Sequence, residues 1–375
     1  MRVLHSAALL RPSAGMLNQM YWEQEASDKL GVTWHSRMYC PEGSSGPESV
    51  LVYSKYVKAC NDRSGTGKVS DWLRLRYRYY QWLLSMKNDY DIFVLRYYVH
   101  DLFQLSFIKS FTKPVYLVHH SKEVPELAMP DTLPAMVRSW LEKQIGPCSL
   151  NQADGIIGVT KEIIEHELER LPSLLNDKPS FLYPNGILYS GMNISDARES
   201  KIQLLFVCSF FESWHGLDLL INDLKSNELD FILNIVGDVH KSDLLNLAND
   251  NRVVLHGQLS GMQINKLSEK CHLGLSSFAL YRKGLEEACT LKVREYLRMG
   301  LPVYSGHSDV FPDEFEFYKV GAPRFKDILK YAKRNSEISK NEVSSSARKY
   351  IDKTILLDNL YNLLQQDFDE LSVEN

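Results

Sequence analysis

Short apolar segments alternate with longer amphipathic segments along almost the whole chain, and this alternation limits the possible folds more than any other feature. In the first half, candidate strands occupy residues 2–7, 50–53, 92–95, 115–118, 156–159 and 181–183, with candidate helices between them. Parallel strands need long crossover connections, which are usually helices. The pattern therefore predicts an α/β domain with a parallel, doubly wound sheet covered by helices on both faces.

The same alternation begins again after a polar stretch at residues 190–200, which we interpret as a linker. A chain of 375 residues is too long for one ordinary core and suits two domains. We predict a Rossmann-like domain over residues 1–189 and a second over 190–349, with a final helix at about 350–375 able to pack back on the first. Two such domains facing across a cleft would bind ligands at the carboxyl ends of their strands.

Composition excludes several classes of protein. A hydrophobic fraction of 44% and a charged fraction of 24% are typical of globular domains. The net charge of -4 argues against a nucleic-acid partner. No apolar run reaches the ~18 residues of a membrane-spanning helix. The six cysteines show no C-x-x-C spacing, so neither a disulfide framework nor a zinc site is indicated, and we expect a cytoplasmic protein.

Two glutamates eight positions apart, Glu287 and Glu295, lie among basic residues and form the most informative polar cluster. If a helix begins near Glu287, the two lie ~80° apart around its axis and ~12 Å apart along it. That spacing suits a long ligand, with one carboxylate for sugar hydroxyls and the other for a ribose diol. Arg282 and Lys283 before the helix, and Lys292 within it, favour a diphosphate at the helix N-terminus. The alternative is a solvated amphipathic helix with an ordinary ion-pair face.

This cluster, followed by Gly-Leu-Pro at residues 300–302, resembles the E-x7-E signature of retaining glycosyltransferases with the two-Rossmann GT-B architecture. The resemblance is to family 4, and to its members that make bacterial capsule, O-antigen and exopolysaccharide. It implies that Glu287 contacts the donor sugar at the catalytic centre and that Glu295 binds the nucleotide ribose. It also implies a nucleotide-sugar donor and a glycan or polyprenyl-diphosphate-linked acceptor. We expect metal-independent transfer and no cofactor.

Further segments follow the order of the same family. Residues 208–216 stand where the family has G-R-x5-K-G, whose arginine and lysine hold the diphosphate; here those positions are Ser209 and His215. His215 either replaces the lysine as a hydrogen-bond donor or only caps the next helix. Gly237 matches a strand-end glycine beside the nucleotide. Gly15, in the predicted first β–α loop, stands where the family often has two glycines.

His119 and His120 follow the candidate strand at 115–118, where the family has a histidine near the reacting centre. Polar side chains at strand ends often carry catalysis. A neutral imidazole there would hydrogen-bond a donor-sugar hydroxyl or help to deprotonate the acceptor. His120 is slightly favoured over His119, and the alternative for either is a satisfied histidine in the core.

The segment Trp72–Leu84 combines three arginines with five aromatic residues. On a helix, Arg74 and Arg78 are neighbours four positions apart. One interpretation is a face that rests on the anionic inner leaflet of the cell membrane, close to a lipid-linked acceptor. The alternative is a core helix with solvated arginines.

The resemblance implies transfer with retention at the anomeric carbon. Two other functions stay open at this point. A nucleotide-sugar 2-epimerase uses the same double-Rossmann plan and needs no acceptor. A non-catalytic nucleotide-sugar-binding partner is also compatible, because the arginine and lysine of the family's phosphate motif are replaced at Ser209 and His215.

Overall fold

The structure is a computed structural model that describes residues 1–59, 66–130, 132–172, 177–189 and 194–374. The chain divides into two compact units, of which the first comprises Met1–Leu188 with Lys353–Asn375 and the second comprises Tyr189–Asp352. Cys60 and the first part of the predicted linker, at 190–193, lie outside the described residues.

The first unit is built on a seven-stranded parallel sheet of order β3-β2-β1-β4-β5-β6-β7. Its strands are β1 Val3–Ala8, β2 Trp34–Glu42, β3 Leu51–Lys58, β4 Ile92–Arg96, β5 Val115–His119, β6 Gly155–Gly158 and β7 Ser180–Leu182. Its helices up to this point are α1 Ala14–Leu30, α2 Thr66–Ser85, α3 Leu102–Ser110, α4 Glu123–Ala128, α5 Leu133–Gln152 and α6 Lys161–Glu169. The sequence pattern missed β2, in which His35, Ser36 and Arg37 separate Trp34 from the apolar residues that begin at Met38.

The second unit has a six-stranded parallel sheet of order β10-β9-β8-β11-β12-β13. Its strands are β8 Gln203–Phe210, β9 Ile232–Asp238, β10 Val253–Leu255, β11 Leu273–Leu275, β12 Val303–Ser305 and β13 Tyr318–Val320. Its α-helices are α7 Leu217–Lys225, α8 Lys241–Leu247, α9 Gly261–Ser268, α10 Leu291–Arg298, α11 Phe325–Arg334 and α12 Lys340–Ile351. Two short 3-10 turns, Ser213–His215 and Leu280–Lys283, follow β8 and β11.

The last helix of the chain, α13 at Lys353–Glu374, packs on the first unit. Its Leu357, Leu360 and Leu364 are fully buried against one face of the first sheet. Tyr361 also donates a hydrogen bond of 2.6 Å to the carbonyl of Met1. The core of the first unit therefore includes residues from both ends of the chain.

A buried carboxylate joins several elements of the first unit. Glu23, on α1, accepts hydrogen bonds from His5 Nδ1 at 2.6 Å, from Trp34 Nε1 at 2.5 Å, from Ser36 Oγ at 2.9 Å and from the Tyr183 hydroxyl at 3.0 Å. Burial alone would raise the pKa of Glu23, but the charges of His5 and Lys353 and the hydrogen bonds from His5 and Ser36 outweigh it and lower the pKa to about 2. The glutamate therefore stays ionised and ties α1 to β1 and β2.

Most of α2 belongs to the core of the first unit. Leu75, Tyr79, Tyr80 and Leu83 are buried, and the Arg76 guanidinium is buried 3.1 Å from the centre of the Tyr98 ring. Arg78 lies 3.7 Å over the Tyr56 ring, whereas Leu73, Arg74, Tyr77 and Leu84 are exposed. Four of the five aromatic side chains in this segment are thus wholly or partly inside the protein.

The predicted fold class is confirmed: the chain forms two α/β units, each with a parallel Rossmann-like sheet. Gly15 departs from the prediction, because it is the second residue of α1 and not part of a loop. The Ser13 side chain caps α1 by accepting a hydrogen bond from Met16 N, so the helix starts earlier than the glycine suggested. Among the described helices, none is long and apolar enough to cross a membrane.

Candidate functional site

The order of the second sheet reverses between β8 and β11, which are neighbours although two strands separate them in the sequence. Loops diverge from the carboxyl ends of strands at such a reversal and leave room for a ligand. The two 3-10 turns lie at this point. The first turn is joined to the segment just before the second, because Phe278 N donates to His215 O at 3.0 Å and Ala279 N donates to Trp214 O at 3.2 Å. Most of the predicted donor-site residues lie on or next to these two segments.

The prediction that a helix starts near Glu287 is wrong, because α10 begins at Leu291. Glu287 lies in the preceding loop and forms a bridge with Ser308, in the loop after β12. Ala288 N donates to Ser308 O at 3.0 Å and Ser308 N donates to Glu286 O at 3.0 Å. These bonds hold the loop extended, so the helical angle and distance between the two glutamates do not apply. Glu287 therefore lies just before the N-terminus of α10.

Glu295 lies on α10 and is partly buried. Burial raises the pKa of its carboxyl group, while the charges of Arg298 and Lys292 act in the opposite direction. The two glutamates thus occupy different environments, one on a loop held by backbone bonds and one on a helix. An E-x7-E spacing alone does not reveal this difference.

Arg282 and Lys283 are already engaged by neighbouring side chains. Arg282 donates to both carboxylate oxygens of Asp218, at 2.9 and 2.8 Å, and to Ser213 O at 2.6 Å. Lys283 Nζ lies 4.7 Å from the centre of the Trp214 ring. Arg282 therefore links the two 3-10 turns. A ligand would have to compete with Asp218 for the Arg282 guanidinium group.

Lys292 lies in the first turn of α10 and points to the end of β8. Its Nζ is 2.9 Å from Cys208 Sγ, and burial raises the pKa of that thiol. A thiol is a weak acceptor, so this contact satisfies an ammonium group poorly. The positive charge of Lys292 adds to the partial positive charge of the helix N-terminus, and together they form an anion-attracting position.

His215 is the last residue of the first 3-10 turn, and its protonation follows from its hydrogen bonds. Glu212 N donates to His215 Nδ1 at 2.9 Å, so Nδ1 is an acceptor and the proton of the neutral ring is on Nε2. Burial, followed by the charges of Lys292 and Lys283, lowers the pKa of His215 to about 3. The ring is therefore a neutral Nε2–H donor close to two ammonium groups.

Ser209 and Gly237 lie at the ends of β8 and β9. Ser209 is exposed, and its carbonyl accepts from Gln258 Nε2 at 2.6 Å; the same amide donates to Asp238 Oδ2 at 2.9 Å. Gly237 has φ 115°, and a Cβ at this position would lie 1.5 Å from Cys208 O. Only glycine fits there, because the β8 backbone passes so close. Gly237 thus has a packing reason as well as the predicted role beside a nucleotide.

The remaining predicted residues lie in the first unit and occupy contrasting environments. His119, the last residue of β5, is fully buried and stacked on Tyr97 with ring centres 4.4 Å apart. Burial lowers the pKa of His119 to about 4. The next residue, His120, is exposed at the strand end, and Gly15 is exposed in the first turn of α1. Of the two histidines, His120 is the one that a dissolved ligand can reach.

Sequence reasoning missed the ion pair that fixes α10. Arg294 donates to both carboxylate oxygens of Asp309 at 2.5 Å, and both side chains are fully buried. Asp309 follows Ser308, so the pair also fixes the loop that bridges Glu287. The available signal was an arginine next to Val293 and Leu297 on the apolar side of an amphipathic helix, but its partner 15 residues away cannot be identified from periodicity.

The chain was compared with known proteins. No protein-family model and no curated protein sequence matches it. Solved structures match over nearly the whole chain, among them a lipopolysaccharide outer core galactosyltransferase, WaaB, with a TM-score of 0.63, 13% identity, and coverage of 98% of this chain and 99% of WaaB.

Sucrose-phosphate synthase from Thermosynechococcus elongatus matches with a TM-score of 0.65 and 14% identity, over 99% of this chain and 100% of that one. Anabaena HepE, solved in complex with UDP-glucose, matches with a TM-score of 0.61 and 12% identity, over 98% of this chain and 100% of that one. Identities this low establish the fold alone. The chain therefore has the GT-B fold of these glycosyltransferases.

Proposed function

We propose that this protein is a glycosyltransferase that takes a sugar from a nucleotide-sugar donor bound by the second unit. The observation that carries the proposal is the grouping of His215 and Lys292 at the reversal point of the second sheet, beside the loop that holds Glu287. The complex of HepE with UDP-glucose supports this choice of donor, because a chain of the same fold binds such a molecule.

The donor diphosphate would meet two different kinds of group. His215 Nε2–H donates a neutral hydrogen bond, while Lys292 and the N-terminus of α10 supply positive charge. A nucleoside diphosphate leaving group gains negative charge as the glycosidic bond breaks. Groups that already point at that charge lower the barrier without reorganising.

The two glutamates would bind the ends of the donor that carry hydroxyl groups. Glu287 would contact the donor sugar and Glu295 the ribose, in accordance with the family resemblance. In a retaining reaction the acceptor hydroxyl attacks the anomeric carbon from the face that the diphosphate leaves. The protein then acts by positioning and electrostatics. His120 would hydrogen-bond the donor sugar or the acceptor, which we propose to be a surface glycan or a lipid-linked oligosaccharide.

A thermal-shift screen with UDP-, GDP-, ADP- and TDP-sugars identifies the donor, because a ligand that binds the folded state raises the unfolding temperature. With that donor, Glu287→Ala should abolish transfer and leave the fold intact. Glu286→Ala is the matched control, since the neighbouring side chain is exposed and its backbone bonds to Ser308 remain. Near-normal turnover by Glu287→Ala would refute the donor-site assignment.

The reaction products separate transfer from the two other functions. A 2-epimerase converts the sugar nucleotide without any acceptor, whereas a transferase releases the nucleoside diphosphate. A non-catalytic binding partner gives a thermal shift but neither product nor slow donor hydrolysis. NMR of the anomeric proton in the transferred sugar then distinguishes retention from inversion.

We further propose that the first unit touches an anionic membrane surface. Leu73, Arg74 and Tyr77 on α2 are exposed, and α5 exposes Met136 and Trp140. Such a mixture of apolar, aromatic and basic groups suits the headgroup region.

Arg74→Glu combined with Trp140→Ala should reduce cosedimentation with phosphatidylglycerol vesicles. The control is Arg334→Glu, which changes an exposed residue of the second unit and should leave vesicle binding unaltered. Unaltered binding by the double variant would contradict the proposed membrane contact.

A further inference from the structure

His119 belongs to a buried group of ionisable side chains that the proposed transfer does not use. His119 comes from β5, Glu123 from α4 and Glu167 from α6, and none of the three side chains is more than 10% exposed. One potential ligand atom from each lies within 4.8 Å of the others. Three separate elements of the first unit therefore bring metal-ligating side chains to one point in its interior.

The charges around this point do not balance. Three carboxylates, those of Glu123, Glu142 and Glu167, face two guanidinium groups. Arg170 donates to both Glu142 and Glu167, and the charge of Arg96 acts on Glu123 from β4. With all three carboxyl groups ionised, one negative charge is in excess among these five side chains. Burial accordingly raises the pKa of Glu123 to about 7 and the pKa of Glu167 to about 8. A buried charge without compensation is costly, so a cation or a proton is needed here.

Several polar atoms of the group also have no hydrogen-bond partner among the described residues. They are His119 Nε2, Glu123 Oε2 and Glu167 Oε1, together with Nε2 of His166, which lies 3.8 Å from Glu167 Oε1. The great majority of buried polar side-chain atoms in folded proteins have a partner. The second oxygen of each carboxyl group and one nitrogen of each histidine therefore have unused capacity for a bound ion or a proton.

The spacing of the ligand atoms fits a metal ion. His119 Nδ1 lies 3.1 Å from Glu123 Oε1 and 3.7 Å from Glu167 Oε2. Tetrahedral ligands about 2.1 Å from a zinc ion are about 3.4 Å apart, which falls between these two distances. Glu167 Oε2 also accepts from Arg170, and a carboxylate oxygen has a second lone pair for a metal.

We propose that His119, Glu123 and Glu167 bind a divalent first-row transition-metal ion such as Zn²⁺, with His166 placed to act as a fourth ligand. One imidazole with carboxylates suits such ions. The ion would join the end of β5 to α4 and α6. It would fix the backbone next to the exposed His120 and would have a structural role, independent of the sugar transfer proposed above.

Metal analysis of the full chain tests this inference. The protein is produced in zinc-supplemented medium, freed of any affinity tag and dialysed against metal-free buffer, and its metal content is measured by inductively coupled plasma mass spectrometry. We expect about one equivalent of metal, and a lower unfolding temperature after treatment with a chelator. Cobalt-loaded protein should show the visible absorption bands of a coordinated Co²⁺ ion.

Two conservative variants distinguish a metal from a shared proton. Glu123→Gln and Glu167→Gln should each lower the metal content at least tenfold and remove the effect of the chelator. Glu165→Gln, an exposed change on the same helix as Glu167, should keep both. If the two carboxyl groups share a proton instead, the wild type contains no metal and Glu123→Gln, which imitates the protonated acid, stays as stable as the wild type. That result would overturn the proposal.

Discussion

At the scale of single residues, His215 and Lys292 give the candidate phosphate site two groups with different chemistry. Lys292 offers an ammonium group, whereas burial and the charges of Lys292 and Lys283 lower the pKa of His215 and keep its ring neutral. His215 can then give a bound anion one directed hydrogen bond, from its Nε2–H group. Positive charge has to come from Lys292 and the start of α10, since Arg282 is paired with Asp218.

Replacing His215 should weaken donor binding without changing the fold. One hydrogen bond to a charged group contributes about 1.5–3 kcal/mol, so His215→Ala should raise the donor KM roughly 10- to 100-fold. Steady-state kinetics with varied donor measures this. His35→Ala, in the first unit, should leave the donor KM within about twofold, and an unchanged value for His215→Ala would return His215 to a capping role.

The pH dependence gives a second measurement on the same residue. Because the pKa of His215 is lowered to about 3, the ring stays neutral as the pH falls from 8 to 5. The ratio of donor kcat/KM between wild type and His215→Gln should therefore be constant over this range. A ratio that rises about tenfold as the pH falls toward 5 would mean that an imidazolium binds the diphosphate.

At the scale of secondary-structure elements, α10 is fixed by a charge pair inside the protein. Arg294 and Asp309 join the helix to the loop after β12, and that loop bridges the segment of Glu287. Removing only one charge of a fully buried pair is costly, because the other charge is left inside the protein without compensation. The position of the proposed sugar-contacting glutamate thus depends on a pair that does not itself touch a ligand.

Removing one charge of the Arg294–Asp309 pair should destabilise the protein strongly. Asp309→Asn leaves a buried arginine without its charged partner, which costs about 3–5 kcal/mol in the free energy of unfolding. Urea unfolding measures the loss. The double variant Arg294→Met/Asp309→Leu should recover most of it, since an apolar pair of similar volume removes the buried charge. A double variant as unstable as the single one would contradict this account.

At the scale of the whole molecule, the two ends of the chain share one core. Leu357, Leu360 and Leu364 of α13 pack on the first sheet. The chain thus leaves the first unit after Leu188, forms the second and returns at Lys353. The Lys353 ammonium is buried 4.4 Å from the centre of the Tyr183 ring, and its backbone N–H donates to Ile187 O at 2.8 Å.

A chain that stops at Asp352 should lose the stability of the first unit only. Leu357, Leu360 and Leu364 are fully buried, and each buried leucine contributes about 1.5–3 kcal/mol. Limited proteolysis followed by mass spectrometry should show rapid cleavage within residues 1–188 and continued protection of 189–352. A chain that stops at Asp369 is the control and should resist cleavage. Equal protection of both truncated chains would disprove this role of α13.

The sequence by itself determined the fold class, because buried parallel strands and crossover helices differ in apolar periodicity, and a strand such as β1 keeps that pattern whatever it packs against. It did not reveal β2, in which the buried Trp34 and Ser36 alternate with the polar, partly exposed His35 and Arg37. Local patterns report only which residues need to be buried, and not which partners bury them.

Only the tertiary structure decided what the candidate site residues do. It placed Glu287 in a loop before α10, bound Arg282 to Asp218, buried His119 and left His120 exposed. Each of these outcomes depends on partners distant in sequence, such as Ser308 for the Glu287 loop and Asp309 for Arg294. Charge, hydrogen bonding and burial are set by neighbours in space, and the spacing of residues along one chain does not contain that information.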